Sequence, residues 1–115
     1  MSNLSPKYTP TNYGDSHDIL DDYNRKDVRL CYETFLVNGV GDGPAIRHHN
    51  THIVTWHSDG SITLNGGGWA SRTTADRMHR FTPHNVCVNN RKGTLTVTVD
   101  DVVVGDATYG LTINA

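Results

Sequence analysis

Residues 94–99 read Thr-Leu-Thr-Val-Thr-Val, and this stretch decides the class of the fold. Three apolar side chains alternate with three threonines, which is the period of two expected of a β-strand with an apolar face and a hydroxyl face. Strands also favour such β-branched residues. Similar short apolar runs occur at 86–88, 102–104 and 109–113. The last third of the chain is therefore predicted to be β-structure.

The middle of the chain continues this alternation. Residues 28–37 and 45–57 are each predicted to form one strand, and the glycine-rich stretch Asn38–Pro44 is predicted to be the turn between them. The sequence Ser-Asp-Gly-Ser at 58–61 is a hairpin signal, and it leads into a short strand at 62–65.

One helix is predicted between these β regions. Thr73 is its expected N-cap, Asp76 completes a pair resembling a capping box, and Pro83 ends the helix. One or two further helical turns are expected from Asp15, as N-cap, to Tyr23. The sequence thus predicts a mainly β protein with a minor α component: an antiparallel sheet or small sandwich with one short helix.

The chain of 115 residues is long enough for one domain and short for two. Residues 1–14 contain two prolines and little to bury, which predicts an extended N-terminal arm. Tyr8 and Tyr13 suggest that this arm packs across its own domain or a neighbouring subunit. The predicted organisation is the arm followed by a single β-rich domain over residues 15–115.

Composition excludes some classes of function. A net charge of −2 argues against a general nucleic-acid coat or a membrane-surface binder, which need a cationic excess, although it allows a local basic site. There is no apolar signal segment and no run long enough to span a bilayer. We therefore expect an intracellular, reducing location. Cys31 and Cys87 are expected to be buried thiols, with a single disulfide as the alternative.

The predicted strand at 46–57, IRHHNTHIVTWH, is the most unusual segment of the chain. Alternation along a single strand would place Arg47, His49 and Thr51 on one face. Three chemistries compete for this segment: a metal site, phosphodiester hydrolysis and recognition of an anionic ligand. A purely structural role, in loop contacts or subunit contacts, is the fourth interpretation.

The sequence argues against a metal site and against phosphodiester hydrolysis. On one strand, His48 and His52 would lie ~13 Å apart, too far to share an ion, so no metal is predicted. Residues 49–51 have the H-x-T form found in two-histidine phosphoesterases, but the sequence lacks a second such motif, so the base would have no partner acid. In the recognition hypothesis, these residues and Arg47 present hydrogen-bond donors to an anion.

Three glycines at 66–68, followed by Trp69, lead directly into the predicted helix. Exposed backbone N–H groups and the helix dipole at such a place favour an anion, although the spacing matches no phosphate-binding fingerprint. Alternatively, the glycines let Trp69 pack, and Asp76 with Arg80 forms an ordinary i,i+4 pair. The candidate ligand-binding residues of this region are Trp69, Thr73, Thr74 and Arg77.

Several of these motifs occur together. Residues 45–54 (AIRHHNTHIV), 59–65 (DGSITLN) and 73–78 (TTADRM), with Gly68-Trp69, resemble a group of small tailed-bacteriophage proteins, most of them hypothetical. That group carries an Arg-x-His-x-Thr strand, a Gly-Gly-Trp turn and a Thr-Thr-x-x-Arg helix. The resemblance implies a phage origin, and hence the host cytoplasm, but no established activity. The shared positions are Arg47, His49, Thr51, Gly68, Trp69, Thr73, Thr74 and Arg77.

The function predicted from these observations is that of a phage accessory protein, more a binding module than an enzyme. Its ligand would be a nucleotide, a nucleotide second messenger or a short nucleic acid, bound without a cofactor during host takeover or defence evasion. The first alternative is a virion or assembly protein that forms homo-oligomers. The second is a phosphodiesterase-like enzyme that uses His49. The predicted site comprises Arg47, His49, Thr51, Trp69, Thr73, Thr74 and Arg77.

Overall fold

The computed structural model describes residues 9–24, 26–31, 33–38, 43–68 and 71–114, which form nine strands and two helices. The elements in chain order are α1 (Tyr13–Asp22), β1 (Val28–Cys31), β2 (Thr34–Val37), β3 (Ala45–His48), β4 (Thr51–Trp56), β5 (Ser61–Leu64), α2 (Arg72–Arg80), β6 (Val86–Arg91), β7 (Thr94–Val99), β8 (Val102–Asp106) and β9 (Leu111–Asn114).

The strands form two antiparallel sheets, so the predicted mainly β class is confirmed. The larger sheet has six strands in the order β1-β2-β3-β4-β5-β9. The smaller sheet has three strands in the order β6-β7-β8. Neither of the described helices is long and apolar enough to cross a bilayer.

Both long strands predicted in the first half of the chain are in fact hairpins. Residues 28–37 divide into β1 and β2 before Thr34, and residues 45–57 divide into β3 and β4 after His48. Glu33 and His49 at these turns have φ angles of 51° and 56°. A residue in this left-handed region reverses the chain within a two-residue loop. The prediction of continuous strands was wrong because neither turn carries a glycine or the Asn-Gly signal.

The first helix begins inside the predicted arm. Asn12 is its N-cap, because the side-chain oxygen of Asn12 accepts a hydrogen bond from the backbone N of Asp15 at 2.8 Å. The prediction of Asp15 as N-cap was therefore wrong. Residues 1–8 lie outside the described residues, so the extended arm and the domain division at residue 15 stay predictions.

The second helix also begins earlier than its sequence suggests. Ser71 is the N-cap, and its Oγ accepts a hydrogen bond from the backbone N of Thr74 at 3.0 Å. Thr73, the predicted N-cap, lies in the first turn and is exposed. The helix ends at Arg80, before Pro83, as expected of a proline stop.

One apolar core joins both sheets to both helices. The large sheet contributes Trp56 and the small sheet contributes Leu95, and both side chains are fully buried. Met78 of α2 and Leu20 of α1 complete the contacts between layers. A single cross-strand row supplies half of the buried core residues of the large sheet: Val28, Leu36, Ile46, Val54 and Leu64.

The two cysteines are free thiols, as in the first of the two interpretations of the sequence, but only Cys31 is buried as that interpretation expected. Cys31 is buried in β1, and Cys87 is half-buried in β6 of the other sheet. No disulfide joins them in this structure.

Candidate functional site

Arg77 is buried by the fold and is engaged by its own neighbours. Its side chain is only 4% exposed. The Nε atom donates to Oγ1 of Thr34 at 3.2 Å, and an NH1 atom lies 2.8 Å from a carboxylate oxygen of Asp76. Asp76 also accepts from Arg80 at 3.1 Å. The structure thus places Arg77 in a buried link between α2 and β2 rather than on an open surface.

His48 lies on the other side of the same threonine. Its Nδ1 is 3.2 Å from Oγ1 of Thr34, and the residue is 6% exposed. Burial lowers the pKa of His48 below its ordinary value, the nearby His49 and Arg77 lower it further, and Glu33 opposes them. The imidazole is therefore neutral at pH 7. The hydroxyl of Thr34 accepts a hydrogen bond from Arg77, so its own proton is available for a hydrogen bond to Nδ1 of the neutral His48 ring.

The residues predicted at the start of α2 take part in the helix cap. Thr74 is buried, and its Oγ1 accepts from the hydroxyl of Ser71 at 2.9 Å. Thr73 is exposed in the first turn. Trp69 lies outside the described residues, so its predicted role is left as a prediction.

Thr51 meets the glycine loop rather than Arg47. Cross-strand pairing in the β3–β4 hairpin sets Thr51 opposite His48. Gly67 packs against it with a φ of +64°, and a Cβ at Gly67 would lie 3.1 Å from the Thr51 side chain. A side chain at this position would be strained by the backbone conformation and would press against Thr51. Thr51 is half-buried and lies in the same cross-strand row as His48 and Thr34.

His49 stands exposed at the tip of its hairpin. Its backbone N donates to the carbonyl oxygen of Glu33 at 3.0 Å, and its Nδ1 lies 3.7 Å from the Glu33 carboxylate. The rings of His48 and His49 have centroids 4.4 Å apart. Within the described ranges, no group of three or more His, Cys, Asp or Glu side chains could hold a metal ion.

Arg47 lies on the opposite side of the large sheet from the row that contains Thr34. Register places it beside Phe35 of β2 and His52 of β4, while Phe35 pairs in turn with Arg29 of β1. These four side chains form one row across the sheet, on the face opposite the apolar core row. We call this set the cationic row: Arg29, Phe35, Arg47 and His52.

Within the cationic row, Arg47 stacks on the aromatic ring. Its guanidinium carbon lies 4.9 Å from the centroid of Phe35, and its NH1 lies 3.4 Å from a carboxylate oxygen of Asp27. Arg29 and His52 are exposed. The side chain of Arg29 makes no hydrogen bond or ion pair with any residue that the structure describes. The row therefore offers a cationic surface with an aromatic ring at its centre.

Sequence reasoning found Arg47 but missed its three partners. Arg29, Phe35 and His52 come from three other strands, and only the register of the hairpins brings them together. In the sequence, each of these residues is visible only as a cation or an aromatic residue between apolar strand residues. They can be recognised as one row only when the positions of the turns at Glu33 and His49 are known.

A family model described as Kyanoviridae Gp96 protein matches residues 23–113. This span contains β1 to β8, α2 and all of β9 except Asn114, and so it reaches well beyond residues 45–80, on which the resemblance to phage proteins was based. Searches of the curated proteins and of the solved structures found no match. Because the family model spans most of the sequence, the chain belongs to the Kyanoviridae Gp96 family of phage proteins.

Proposed function

We propose that this phage protein binds an anionic ligand that carries a planar ring, namely a nucleotide or a short single-stranded nucleic acid, on the cationic row. The observation that carries the proposal is the guanidinium of Arg47 stacked 4.9 Å from the ring centroid of Phe35. A second exposed arginine, Arg29, pairs with the same phenylalanine from the other side.

The chemistry of such a row suits nucleotides. Aromatic rings and guanidinium planes stack on bases, and arginine forks bind phosphate oxygens. Strand spacing of about 4.8 Å places neighbouring side chains in reach of one base and its phosphate. A net charge of −2 favours a short ligand over a long polyanion, because only a local surface is cationic.

The existing ion pair of Arg47 does not prevent this role. Asp27 is exposed and its carboxylate lies 3.4 Å from the guanidinium, so the pair is a surface contact of small free energy. A phosphate can take the place of Asp27 with two parallel hydrogen bonds. In a phage protein, sequestering a nucleotide would serve host takeover or defence evasion without catalysis.

The test measures fluorescence anisotropy of a labelled oligothymidylate, and thermal shifts with mononucleotides and cyclic dinucleotides. We expect saturable binding that weakens with added salt. Arg47→Ala and Arg29→Ala should weaken it, and Phe35→Leu should weaken it by roughly tenfold if one base stacks on the ring. Arg91→Ala is the matched control, since Arg91 is exposed on the small sheet.

Two results would count against the proposal. One is the absence of binding or stabilisation with every ligand in the panel, which would move the weight to the assembly alternative. The other is equal weakening in Arg91→Ala and Arg47→Ala, which would indicate unspecific charge attraction. Phosphodiesterase activity lost in His49→Ala would favour the enzyme alternative instead.

A further inference from the structure

Strand β8 forms an exposed apolar edge. Val102, Val103 and Val104 are 62%, 66% and 45% exposed. In the part of the chain that the structure describes, β8 is the last strand of its sheet, with β7 as its only neighbour. An edge strand presents unpaired backbone N–H and C=O groups, and natural proteins usually protect it with lysine, proline or a covering element. Here the edge carries three consecutive valines.

A groove lies beside this edge. Its volume is about 320 Å³, and β9, at the edge of the large sheet, forms its other wall. The two edges approach closely at Gly105, where a Cβ would come 2.9 Å from the side chain of Leu111. Its apolar lining consists of Val99, Val104, Leu111 and Ile113. Apolar surface thus continues from the edge strand into a concave site.

Acidic residues stand at both ends of the valines. Asp100 and Asp101 form the turn before β8, and Asp106 ends the strand. Hydrogen bonds from the hydroxyl and the backbone N of Thr108 lower the pKa of Asp106, so its carboxylate stays ionised near neutral pH. An apolar centre between negative ends matches a segment with an apolar centre between positive ends.

A second copy of β8 fits this edge poorly in the register that sets valine against valine. Antiparallel pairing of β8 with itself about Val103 sets Val102 against Val104, but it also sets Asp100 against Asp106 at both ends. Like charges directly opposite each other destabilise a strand pair. Charge complementarity therefore favours a different occupant.

We propose that β8 is a docking edge for an extended segment of a partner protein, with alternating apolar side chains at its centre and lysine or arginine at each end. The segment adds a strand to the small sheet, with main-chain hydrogen bonds along the edge and apolar side chains in the groove. A segment of about five residues matches the length of β8.

The test uses a labelled synthetic peptide of alternating valine and threonine with two lysines at each end, and its counterpart with glutamates at the ends. We expect the lysine peptide to bind the full chain and the glutamate peptide not to bind. Val103→Lys should abolish binding. Asp100→Asn with Asp101→Asn keeps the turn and should weaken binding roughly fivefold. Asn89→Lys, on β6 at the far edge of the sheet, is the control.

Other outcomes would overturn the proposal. Equal binding of both peptides would show attraction to the valines without charge recognition. A dimer in sedimentation velocity that Val103→Lys dissociates would assign the edge to a second copy. No binding of either peptide to a chain that is monomeric and folded, as judged by its thermal midpoint, would mean that β8 does not dock strands of this chemistry.

Discussion

Thr34 is the residue through which β2, β3 and α2 share one polar contact. Its hydroxyl lies 3.2 Å from both the Arg77 Nε and the His48 Nδ1. The sequence drew attention to Arg77 and to the histidines but gave no reason to notice Thr34. A lone threonine in an apolar run resembles any other strand residue, and its role depends on a helix 43 positions away.

Replacing this hydroxyl should destabilise the protein. We expect Thr34→Val to lower the free energy of unfolding by about 1–3 kcal/mol, because it removes a hydrogen-bond partner from two buried polar groups. Urea denaturation measures the change. Thr96→Val, a half-buried position in β7, is the control and should change it by less than about 0.5 kcal/mol. Equal effects of the two variants would contradict this role for Thr34.

The lowered pKa of His48 makes stability depend on pH. The unfolded chain binds a proton at His48 near pH 6.5, whereas the folded chain binds it only at lower pH. The contribution of His48 to stability is therefore fully present above pH 6.5 and is lost as the pH drops from 6.5 toward the folded-state pKa.

Urea midpoints at pH 7.5 and pH 5.5 test this dependence. We expect the wild type to lose more stability on acidification than His48→Gln does. His52→Gln, at an exposed position, should behave as the wild type does. If the His48→Gln profile is as steep as that of the wild type, another group causes the loss.

At the scale of the element, the turns limited what the sequence revealed. Alternation identified the strand-forming residues at 28–37 and 45–57, but Glu33 and His49 turn the chain in a conformation that their side chains disfavour. A contact between the two turns stabilises that conformation, because the backbone N of His49 donates a hydrogen bond to the carbonyl oxygen of Glu33. The cationic row could not be predicted from the sequence for the same reason, because the register of these two hairpins brings its residues together.

The cap of α2 offers a direct comparison between expected and observed capping. Ser71→Ala should lower the free energy of unfolding by about 1 kcal/mol, because the backbone N of Thr74 loses its acceptor. Thr73→Ala, at the N-cap position that the sequence suggested, should change it very little. Thermal or urea denaturation of both variants decides between the two caps. A larger effect of Thr73→Ala would place the cap at the predicted residue.

Two glycines should respond to alanine with opposite sign. At Gly43 a Cβ would collide with the backbone carbonyl of Trp56, so Gly43→Ala should lower the free energy of unfolding by about 1–3 kcal/mol. At Gly14, within α1, the nearest atom is 3.5 Å away, and Gly14→Ala should raise it by about 0.5–1 kcal/mol. Urea denaturation measures both changes. Similar changes at both positions would contradict the close packing at Gly43.

For the whole molecule, the mainly β class followed from the alternation of residues 94–99, which form β7 as predicted. The division into two sheets did not follow. The three strands of the small sheet follow one another in the sequence. The last strand of the large sheet, β9, comes after the small sheet in the sequence, far from the other five strands of its own sheet. Such pairing between distant segments leaves no local pattern to read.

The shared core predicts that both sheets unfold together. Leu95 of the small sheet is fully buried in the same cluster as Trp56 of the large one. We expect Leu95→Ala to lower the free energy of unfolding by about 2–5 kcal/mol and to keep one transition, seen at the same urea concentration by tryptophan fluorescence and far-UV circular dichroism. Thr94→Ala, the exposed neighbour, is the control. Separate transitions would indicate two independent units.

The place of β9 in the large sheet has a consequence for synthesis on the ribosome. Strands β1 to β5 follow one another both in sequence and in space, so a nascent chain can pair them as they emerge. The open side of β5 must then wait until the helix and the whole small sheet have been translated before Leu111–Asn114 arrives to cover it. During that interval β5 is an uncovered edge on a growing chain, and it is there that a ribosome-bound chaperone would find its target.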